Sequence, residues 1–209
     1  MKADEFWALS DISFTLRRGD RLGILGLNGA GKSTTMNCIT GYIAPTQGTI
    51  TVDGHDILKE PRQAKSEIGY LPEVFSFYSD MKVFEYLDFI CDLKGFDKNR
   101  KARREHIEEV CRKAGLEKLM GRMIRNLSKG YKQRAGFAQA LIGNPKVLIL
   151  DEPTVGLDPS QIIEIRQLIR DSGKSSTVIV SSHILSEIEA ICSRIIVIHN
   201  GTIVADGPT

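Results

Sequence analysis

The sequence predicts an α/β fold with a mixed, mainly parallel sheet, a small antiparallel β subdomain and an inserted α-helical subdomain. Apolar runs typical of strands that are covered on both faces recur at Leu22–Leu25, Val147–Leu150, Val178–Val180 and Ile195–Ile198. Helical patterns separate several of these runs, so parallel strands joined by right-handed crossovers are expected. Hairpin signals indicate the small antiparallel β subdomain, and a long helical block indicates the inserted α-helical subdomain.

Alternating apolar and polar residues near the N-terminus predict the small antiparallel sheet. Asp11–Leu16 alternates in this way, and Thr49–Val52 does so directly before an Asp-Gly pair. Towards the C-terminus, Asn200 and Gly201 separate two further apolar segments. An Asn-Gly pair between such segments predicts a tight hairpin, because both residues tolerate the positive φ that the turn requires.

The middle of the chain has a helical pattern. Val83–Leu93 and Arg100–Ala114 are each followed by a glycine, the usual residue just past a helix end. A third helix is expected over Ser128–Leu141, with Ser128 as its N-cap. We therefore expect a helical subdomain of about 74–144 inserted into a core of about 1–73 and 145–209.

Composition indicates one domain spanning 1–209 and argues against several classes of protein. The chain has 209 residues, of which 42% are hydrophobic, and a net charge of +2. Its four cysteines lie far apart, which argues against a disulfide framework or a cysteine metal site and fits reduced thiols in the cytoplasm. The apolar runs are too short to span a bilayer, and no signal peptide is present. The basic stretch 98–113 is interleaved with acids, so no nucleic-acid partner is expected.

A phosphate-binding loop is the most specific feature of the sequence. The pattern GxxxxGK[ST] is matched by Gly26, Leu27, Asn28, Gly29, Ala30, Gly31, Lys32 and Ser33, and all but Leu27, together with Thr34, are candidate nucleotide-binding residues. Glycines let the backbone bend around a polyphosphate, whose charge meets amide N–H groups and a helix N-terminus. Lys32 can reach the β- and γ-phosphate oxygens, and Ser33 can offer its hydroxyl to Mg²⁺.

Two carboxylates follow the apolar run Val147–Leu150. Asp151 and Glu152 therefore lie at the carboxyl end of a predicted strand, where ligands bind in open α/β sheets. Asp151 is suited to hold Mg²⁺, and Glu152 is suited to polarise the water that attacks the γ-phosphate.

At this point the chain resembles the nucleotide-binding subunit of ABC transporters over essentially its whole length. The signature that separates this family from other phosphate-loop NTPases is usually LSGGQ, and Leu127 begins the matching segment LSKGY. That segment follows the helical block and precedes Asp151, as in the family. The resemblance implies a phosphate-loop NTPase core, ATP and Mg²⁺ as ligands, and ATP hydrolysis. Without the signature, kinases, GTPases and helicases would remain open.

Three further positions match the family by their place in the chain. Glu73 follows the strand and loop that join the core to the helical lobe, where the resemblance implies a metal contact. Asp158 lies in the segment that resembles the D-loop, which relays between two sites. His183 matches the switch histidine, for which the resemblance implies a γ-phosphate contact and a catalytic role beside Glu152 and Lys32.

The chain departs from the family pattern in three places. Glu73 replaces a glutamine, and a carboxylate can accept a hydrogen bond from metal-bound water but cannot donate as an amide does. In the signature, Lys129 and Tyr131 replace glycine and glutamine. Ala3 occupies the position of the aromatic residue that stacks on adenine in the family. Either the ring contact is absent, or Phe6 or Trp7 makes it, or the N-terminus of this sequence is not the native one. The early end at Thr209 suggests a truncated or minimal domain.

The family arrangement implies a head-to-tail dimer, either a homodimer or a heterodimer with a second nucleotide-binding subunit. ATP would lie between the loop of one subunit and the signature of the other, with Ser128, Lys129, Gly130 and Tyr131 acting in trans. Two helix N-termini would then converge on one polyanion. ATP would close the dimer, and hydrolysis would open it.

The resemblance also implies membrane-spanning permease subunits as partners. The LPE loop and the LSKGY signature are similar to those of bacterial ABC exporters, so an exporter subunit is expected on the inner face of the cell membrane. An alternative is a soluble ABC-type ATPase acting on the ribosome or DNA, although such proteins usually carry two nucleotide domains or a long coiled coil. A phosphoryl-transferring kinase is a third option, which the signature and the adjoining acids disfavour.

Overall fold

The computed structural model describes residues 7–74, 76–96 and 99–209. Its strands are β1 Arg21–Leu25, β2 Thr51–Val52, β3 His55–Asp56, β4 Ile68–Leu71, β5 Val147–Asp151, β6 Thr177–Ser182, β7 Arg194–His199 and β8 Thr202–Pro208. Its helices are α1 Lys32–Ile39, α2 Pro61–Ser66, α3 Val83–Leu93, α4 Arg100–Lys113, α5 Lys129–Leu141, α6 Pro159–Ser172 and α7 Leu185–Ile191. Among the helices of these ranges, none combines the length and apolar character needed to cross a bilayer.

A six-stranded sheet forms the centre of the molecule, in the order β4-β5-β6-β1-β7-β8. The first five strands are parallel, and β8 pairs antiparallel with β7 across a two-residue turn. Asn200 and Gly201 have φ values of 47° and 76° in that turn, as the sequence predicts. A second, two-stranded antiparallel sheet consists of β2 and β3. The mixed, mainly parallel sheet with a small antiparallel addition confirms the predicted fold class.

Residues of the central strands alternate between two apolar clusters. Leu148, Leu150 and Val180 join the cluster that contains α3, α4 and α5, whereas Ile149 and Ile179 join the cluster on the α1 side. This alternation follows from the two-residue period of a strand and explains why both faces read as apolar in the sequence. The helices of the middle segment therefore share one apolar cluster with a face of the sheet.

The predicted helix positions agree closely with the structure. Val83–Leu93 is α3, and α4 and α5 lie within one residue of the expected bounds. The first helix, α1, starts at Lys32, because Gly31 takes the N-cap position. Ser128 is the N-cap of α5, as expected, and its hydroxyl accepts from the Tyr131 N–H at 3.4 Å.

The expected strand at Asp11–Leu16 is wrong. No strand is assigned to this segment, which lies within the described residues. Asp11 has a φ of 51°, a left-handed conformation that interrupts an extended ladder. The neighbouring Ser10 N–H instead donates to the Gly201 carbonyl at 2.8 Å. The apolar alternation in this segment reflects packing, since Ile12, Phe14 and Leu16 border the cluster on the α1 side.

Lys94 joins the middle helices to the sheet. It follows α3, and its Nζ donates to the carbonyl of Ile142 at 2.8 Å and to that of Ile68 at 3.4 Å. One carbonyl lies at the end of α5 and the other in β4, so a single ammonium satisfies acceptors from both regions. Burial lowers the pKa of Lys94 to about 8, because the charged form loses solvation.

Gly69 in β4 allows α5 to pack directly on the sheet. A Cβ atom there would lie 2.1 Å from the Ala140 carbonyl oxygen, which is backbone and has little freedom to move. We expect Gly69→Ala to lower the free energy of unfolding by at least about 2 kcal/mol, as overpacking does. Urea unfolding followed by circular dichroism measures the change.

Gly121→Ala is the matched control, since nothing lies within 4 Å of the added methyl group. Its stability should stay within about 0.5 kcal/mol of the unmodified chain. Equal effects of the two substitutions would contradict the close packing of β4 and α5.

Candidate nucleotide site

The glycine-rich loop connects β1 to α1 at the carboxyl edge of the parallel strands. Gly31 caps α1 with a φ of 112°, a left-handed conformation that strongly favours glycine. Thr35 closes the first turn by donating both its N–H and its hydroxyl to the Gly31 carbonyl, each at 2.9 Å. The loop therefore leads directly into a helix N-terminus, where unpaired N–H groups favour an anion.

Lys32 bends back over this loop and is almost completely buried. Its Nζ donates to the Gly26 carbonyl at 2.8 Å and to the Leu27 carbonyl at 3.3 Å. It also lies 3.3 Å from Glu152 Oε1, with only 6% and 5% of the two side chains exposed. The structure thus brings the predicted loop lysine and the predicted catalytic carboxylate into one buried ion pair.

Glu152 Oε1 accepts no hydrogen bond from the described part of the chain, although it faces Lys32. A buried carboxylate oxygen normally fills its acceptor capacity. Glu152 also has a φ of 48°, an uncommon conformation for a residue with a side chain, and such strain occurs at functional sites. Its free acceptor is what a residue that orients an attacking water requires.

Ser181 in β6 holds the two acidic residues at the end of β5. Its hydroxyl donates to Asp151 Oδ1 and accepts from the Glu152 N–H at 2.9 Å. Asp151 and Ser181 are paired in the parallel β5–β6 register, which places them side by side at the same edge. Neighbouring parallel strands therefore orient the carboxylates without help from a loop.

His183 covers the site from the segment after β6. Its Nδ1 lies 3.0 Å from Glu152 Oε2, and the ring is 41% exposed. When Glu152 is ionised, the carboxylate can only accept, so Nδ1 carries the proton and Nε2 points elsewhere. The structure thus brings Lys32, Glu152 and His183 together.

The acidic strand end also suits a magnesium ion. Asp151 is 2% exposed at the end of β5, and its Oδ1 accepts from the Ser181 hydroxyl. In 7–74, 76–96 and 99–209 no group of three or more His, Cys, Asp or Glu side chains is placed to hold a metal. Mg²⁺ bound with nucleotides takes only one or two protein oxygens and completes its shell with phosphates and water. A hard oxygen donor such as Asp151, helped by Ser33, fits that requirement.

Glu73 lies in a different environment. It is exposed and lines a cavity of about 370 Å³ with Lys129 and Lys132 of α5. None of its described contacts joins it to Asp151 or Ser33. The third predicted metal contact is therefore grouped with the signature helix and not with the loop.

The signature segment is also apart from Lys32 within one chain. Ser128, Lys129 and Tyr131 are exposed, whereas Gly130 is buried against the Gln161 side chain of α6. Lys129 extends towards Gly156, and a Cβ atom on that glycine would lie 1.8 Å from its Nζ. The exposed N-terminus of α5 consequently packs against the loop that leads to α6.

Asp158 is the N-cap of that next helix. Its Oδ1 accepts from the Ser160 hydroxyl at 2.6 Å and from the N–H groups of Ser160 and Gln161 at 3.0 Å each. These hydrogen bonds, led by that from the Ser160 hydroxyl, lower the pKa of Asp158. The predicted D-loop residue thus shapes the same corner as the signature segment.

The candidate adenine contacts and one buried carboxylate lie outside the groups described so far. Ala3 and Phe6, considered for the adenine contact, lie outside the described residues, and Trp7 is about half exposed. Sequence reasoning missed Glu187, a buried carboxylate that contacts Thr154 and Ser182. Its place in the first turn of α7 is common for glutamate, so the sequence carries no distinctive signal for it.

The sheet order and the loop between β1 and α1 define a phosphate-loop NTPase. Residues 9–155 match the family described as ABC transporter, and the chain therefore belongs to that family, whose ATP-binding cassettes hydrolyse ATP.

Several proteins that are similar in sequence to this chain are named as ATP-binding proteins of transporters. The ABC transporter ATP-binding protein NatA of Bacillus subtilis is 37% identical over 96% of this chain and 81% of its own length. The bacitracin transport ATP-binding protein BcrA of Bacillus licheniformis is 37% identical over 96% and 65%. The methionine import ATP-binding protein MetN of Desulfitobacterium hafniense is 36% identical over 99% and 62%. The chain thus spans less than two thirds of the last two relatives.

Solved structures show the same fold. The ATP-binding cassette MJ0796, as a dimer in a post-hydrolysis state with ADP and phosphate, aligns with a TM-score of 0.88. It shares 25% identity over 100% of this chain and 94% of that chain. The relation between sheet, loop and helices described above is therefore shared with a nucleotide-bound cassette.

Ser181→Ala tests the link between the two acids. The substitution leaves the buried Glu152 N–H without an acceptor and Asp151 without a donor, which should cost about 1–3 kcal/mol of folding free energy. Denaturant unfolding measures that cost. Ser186→Ala, at an exposed site in α7, is the control and should be neutral. A neutral Ser181→Ala would contradict the proposed bridge.

Proposed function

We propose that this chain is the ATP-binding and ATP-hydrolysing subunit of a membrane exporter. The observation that carries the proposal is the convergence of Lys32, Glu152 and His183 at the carboxyl edge of the sheet. A loop lysine supplies phosphate binding, a buried carboxylate supplies a proton acceptor, and a histidine can contact both the carboxylate and the γ-phosphate.

The residues act in a defined order in this proposal. The triphosphate competes with Glu152 for the Lys32 ammonium, since both are anions directed at one buried cation. Once Lys32 binds the phosphates, Glu152 Oε1 accepts a hydrogen bond from the attacking water and takes its proton. In its imidazolium form His183 donates from Nε2 to the γ-phosphate while Nδ1 donates to Glu152 and keeps it in place, since both ring nitrogens then carry a proton.

Asp151 and Ser33 would hold Mg²⁺, with Glu73 joining when the subunits close. When bound, the ion neutralises charge on the β- and γ-phosphates during transfer to water. All three side chains offer oxygen ligands, which this ion prefers.

A second copy, or a close relative, would complete the site. Ser128 and Gly130 would meet the γ-phosphate bound by the partner, with Lys129 and Tyr131 beside them. The exposed N-terminus of α5 supports this proposal, because its N–H groups can bind an anion from another chain. The packing of Lys129 on Gly156 lets the signature and the Asp158 segment move as one surface.

The membrane partner would dock on the helical subdomain of about 74–144. Val74 and Tyr78 are 84% and 59% exposed, and Val74 lines the cavity that also contains Glu73. Tyr78 stays exposed although its ring packs edge-on against Phe89 at 5.3 Å, whereas Phe77 is more buried and packs edge-on against Tyr86 at 5.2 Å. A short amphipathic helix of a permease subunit fits such an exposed apolar edge. Such docking would put the chain on the inner face of the cell membrane.

The exporter direction is supported by the signature variants. Among the relatives, BcrA is named for bacitracin transport and MetN for methionine import, so their names do not decide the direction. The LPE loop and LSKGY signature favour the exporter. A ribosome- or DNA-acting ATPase finds no support among the relatives named above.

Glu152→Gln should stop turnover while ATP binding stays equal or becomes tighter. The amide cannot take the proton, and it also no longer competes as an anion for Lys32. Phosphate release and fluorescent-nucleotide titration measure the two effects, and light scattering should show an ATP-bound dimer.

Lys32→Ala is the contrasting variant, because it removes the phosphate contact itself. We expect its ATP affinity to fall at least about tenfold, the change expected when one charge-assisted contact is lost. Turnover near the unmodified rate in Glu152→Gln would assign the proton acceptor to another group.

Tyr78→Asp should abolish transport and leave basal ATP hydrolysis intact, since it places a charge on the proposed docking edge and not in the nucleotide site. Phe75→Asp, three residues earlier in the sequence, should behave alike. Leu93→Asp is the control, at an exposed site at the C-terminal end of α3. Hydrolysis is measured with the purified chain, and transport after co-expression with its permease subunits. Normal transport by Tyr78→Asp would refute this docking site.

A further inference from the structure

We propose that Glu187 is a positioning residue that holds His183 in register with Glu152. The inference rests on the proposed function, because it assigns a role within the same hydrolytic site. Glu187 is 6% exposed, lies in α7 and touches neither the loop nor the acids at the end of β5 within the described residues. Its carboxylate instead contacts Thr154, two residues after Glu152, and Ser182, the residue before His183.

The Glu187 carboxylate gathers two hydroxyl donors on one oxygen. Oε2 accepts from Thr154 Oγ1 at 2.7 Å and from Ser182 Oγ at 3.0 Å. Oε1 lies 3.9 Å from Arg166 Nη2 of α6. A buried carboxylate is strongly disfavoured without such partners, so the network has one stable arrangement when all of them are present.

Ser182 connects this carboxylate to the backbone on both sides of His183. Its hydroxyl donates to Glu187 and accepts from the Ile184 N–H at 3.1 Å. The carbonyl of Ser182 accepts from the Gly26 N–H of the phosphate loop at 3.4 Å. The residues before and after His183 are thus fixed by one hydroxyl, and that hydroxyl is fixed by Glu187.

Thr154 connects the same carboxylate to the segment that carries Glu152. It lies two residues after Glu152 and is buried, and its carbonyl accepts from the Leu157 N–H at 3.2 Å. A displacement of Glu187 would therefore release both the Glu152 segment and the His183 segment. The distance of 3.0 Å between Glu152 Oε2 and His183 Nδ1 would then change.

Hydrolysis is sensitive to this geometry because the histidine must meet the carboxylate and the γ-phosphate together. A misplacement near 1 Å can cost about a hundredfold in rate. Nucleotide binding depends on Lys32 and the loop, which Glu187 does not contact within the described residues. The proposed role thus predicts a lower kcat with an almost unchanged KM for ATP.

Steady-state ATP hydrolysis by the full chain tests the assignment. For Glu187→Ala, which removes the acceptor of both hydroxyls, we expect kcat to fall about tenfold or more and KM to change less than about twofold. Glu189→Ala, exposed on the same helix, is the matched control and should be unchanged. Thr154→Val should lower kcat in the same way, whereas Thr154→Ser should keep normal activity, because of these two residues only serine retains the hydroxyl donor.

A double variant separates positioning from general destabilisation. If Glu187 acts through His183, Glu187→Ala combined with His183→Ala should be no slower than His183→Ala alone. Losses that multiply in the double variant, or a raised KM with unchanged kcat, would overturn the assignment while leaving the ATPase proposal intact. Absence of hydrolysis by the unmodified chain would overturn the proposed function, and this inference with it.

Discussion

The buried contact between Lys32 and Glu152 is the interaction on which the rest of the site depends. Two opposite charges with almost no exposure stabilise each other only while they stay paired, since removing either leaves an isolated buried charge. In the proposed function an incoming triphosphate is a competing partner for the lysine. The same contact would then link the presence of nucleotide to the freedom of the carboxylate that we propose acts on water.

The parallel sheet places these groups without long loops. Lys32 follows β1, Glu152 follows β5 and His183 follows β6, and β6 lies between the other two strands in the sheet. The carboxyl ends of adjacent parallel strands meet at one edge, so residues far apart in sequence become neighbours. Ser181 and Glu187 then fix the distances through hydrogen bonds to the same segments.

Much of this arrangement could be predicted from local sequence. The loop at Gly26–Ser33, the acids after Val147–Leu150 and the hairpin at Asn200 each have a pattern that reflects a direct physical requirement. The Lys32–Glu152 pairing could not be predicted, because it depends on which strands are adjacent. Glu187 was missed because a glutamate in a first helical turn is ordinary, and only tertiary contacts distinguish it. The strand predicted at Asp11–Leu16 does not form, because loop residues that pack against a core can show the same apolar alternation as a strand.

A crystal structure of the chain with Mg²⁺ and a non-hydrolysable ATP analogue tests the central claim most directly. The account predicts that Lys32 Nζ leaves Glu152 and binds the γ-phosphate, and that Ser128 of a second copy lies within hydrogen-bonding distance of the same phosphate. A nucleotide bound while Lys32 stays paired with Glu152, or one that Ser128 of no neighbouring chain can reach, would contradict it.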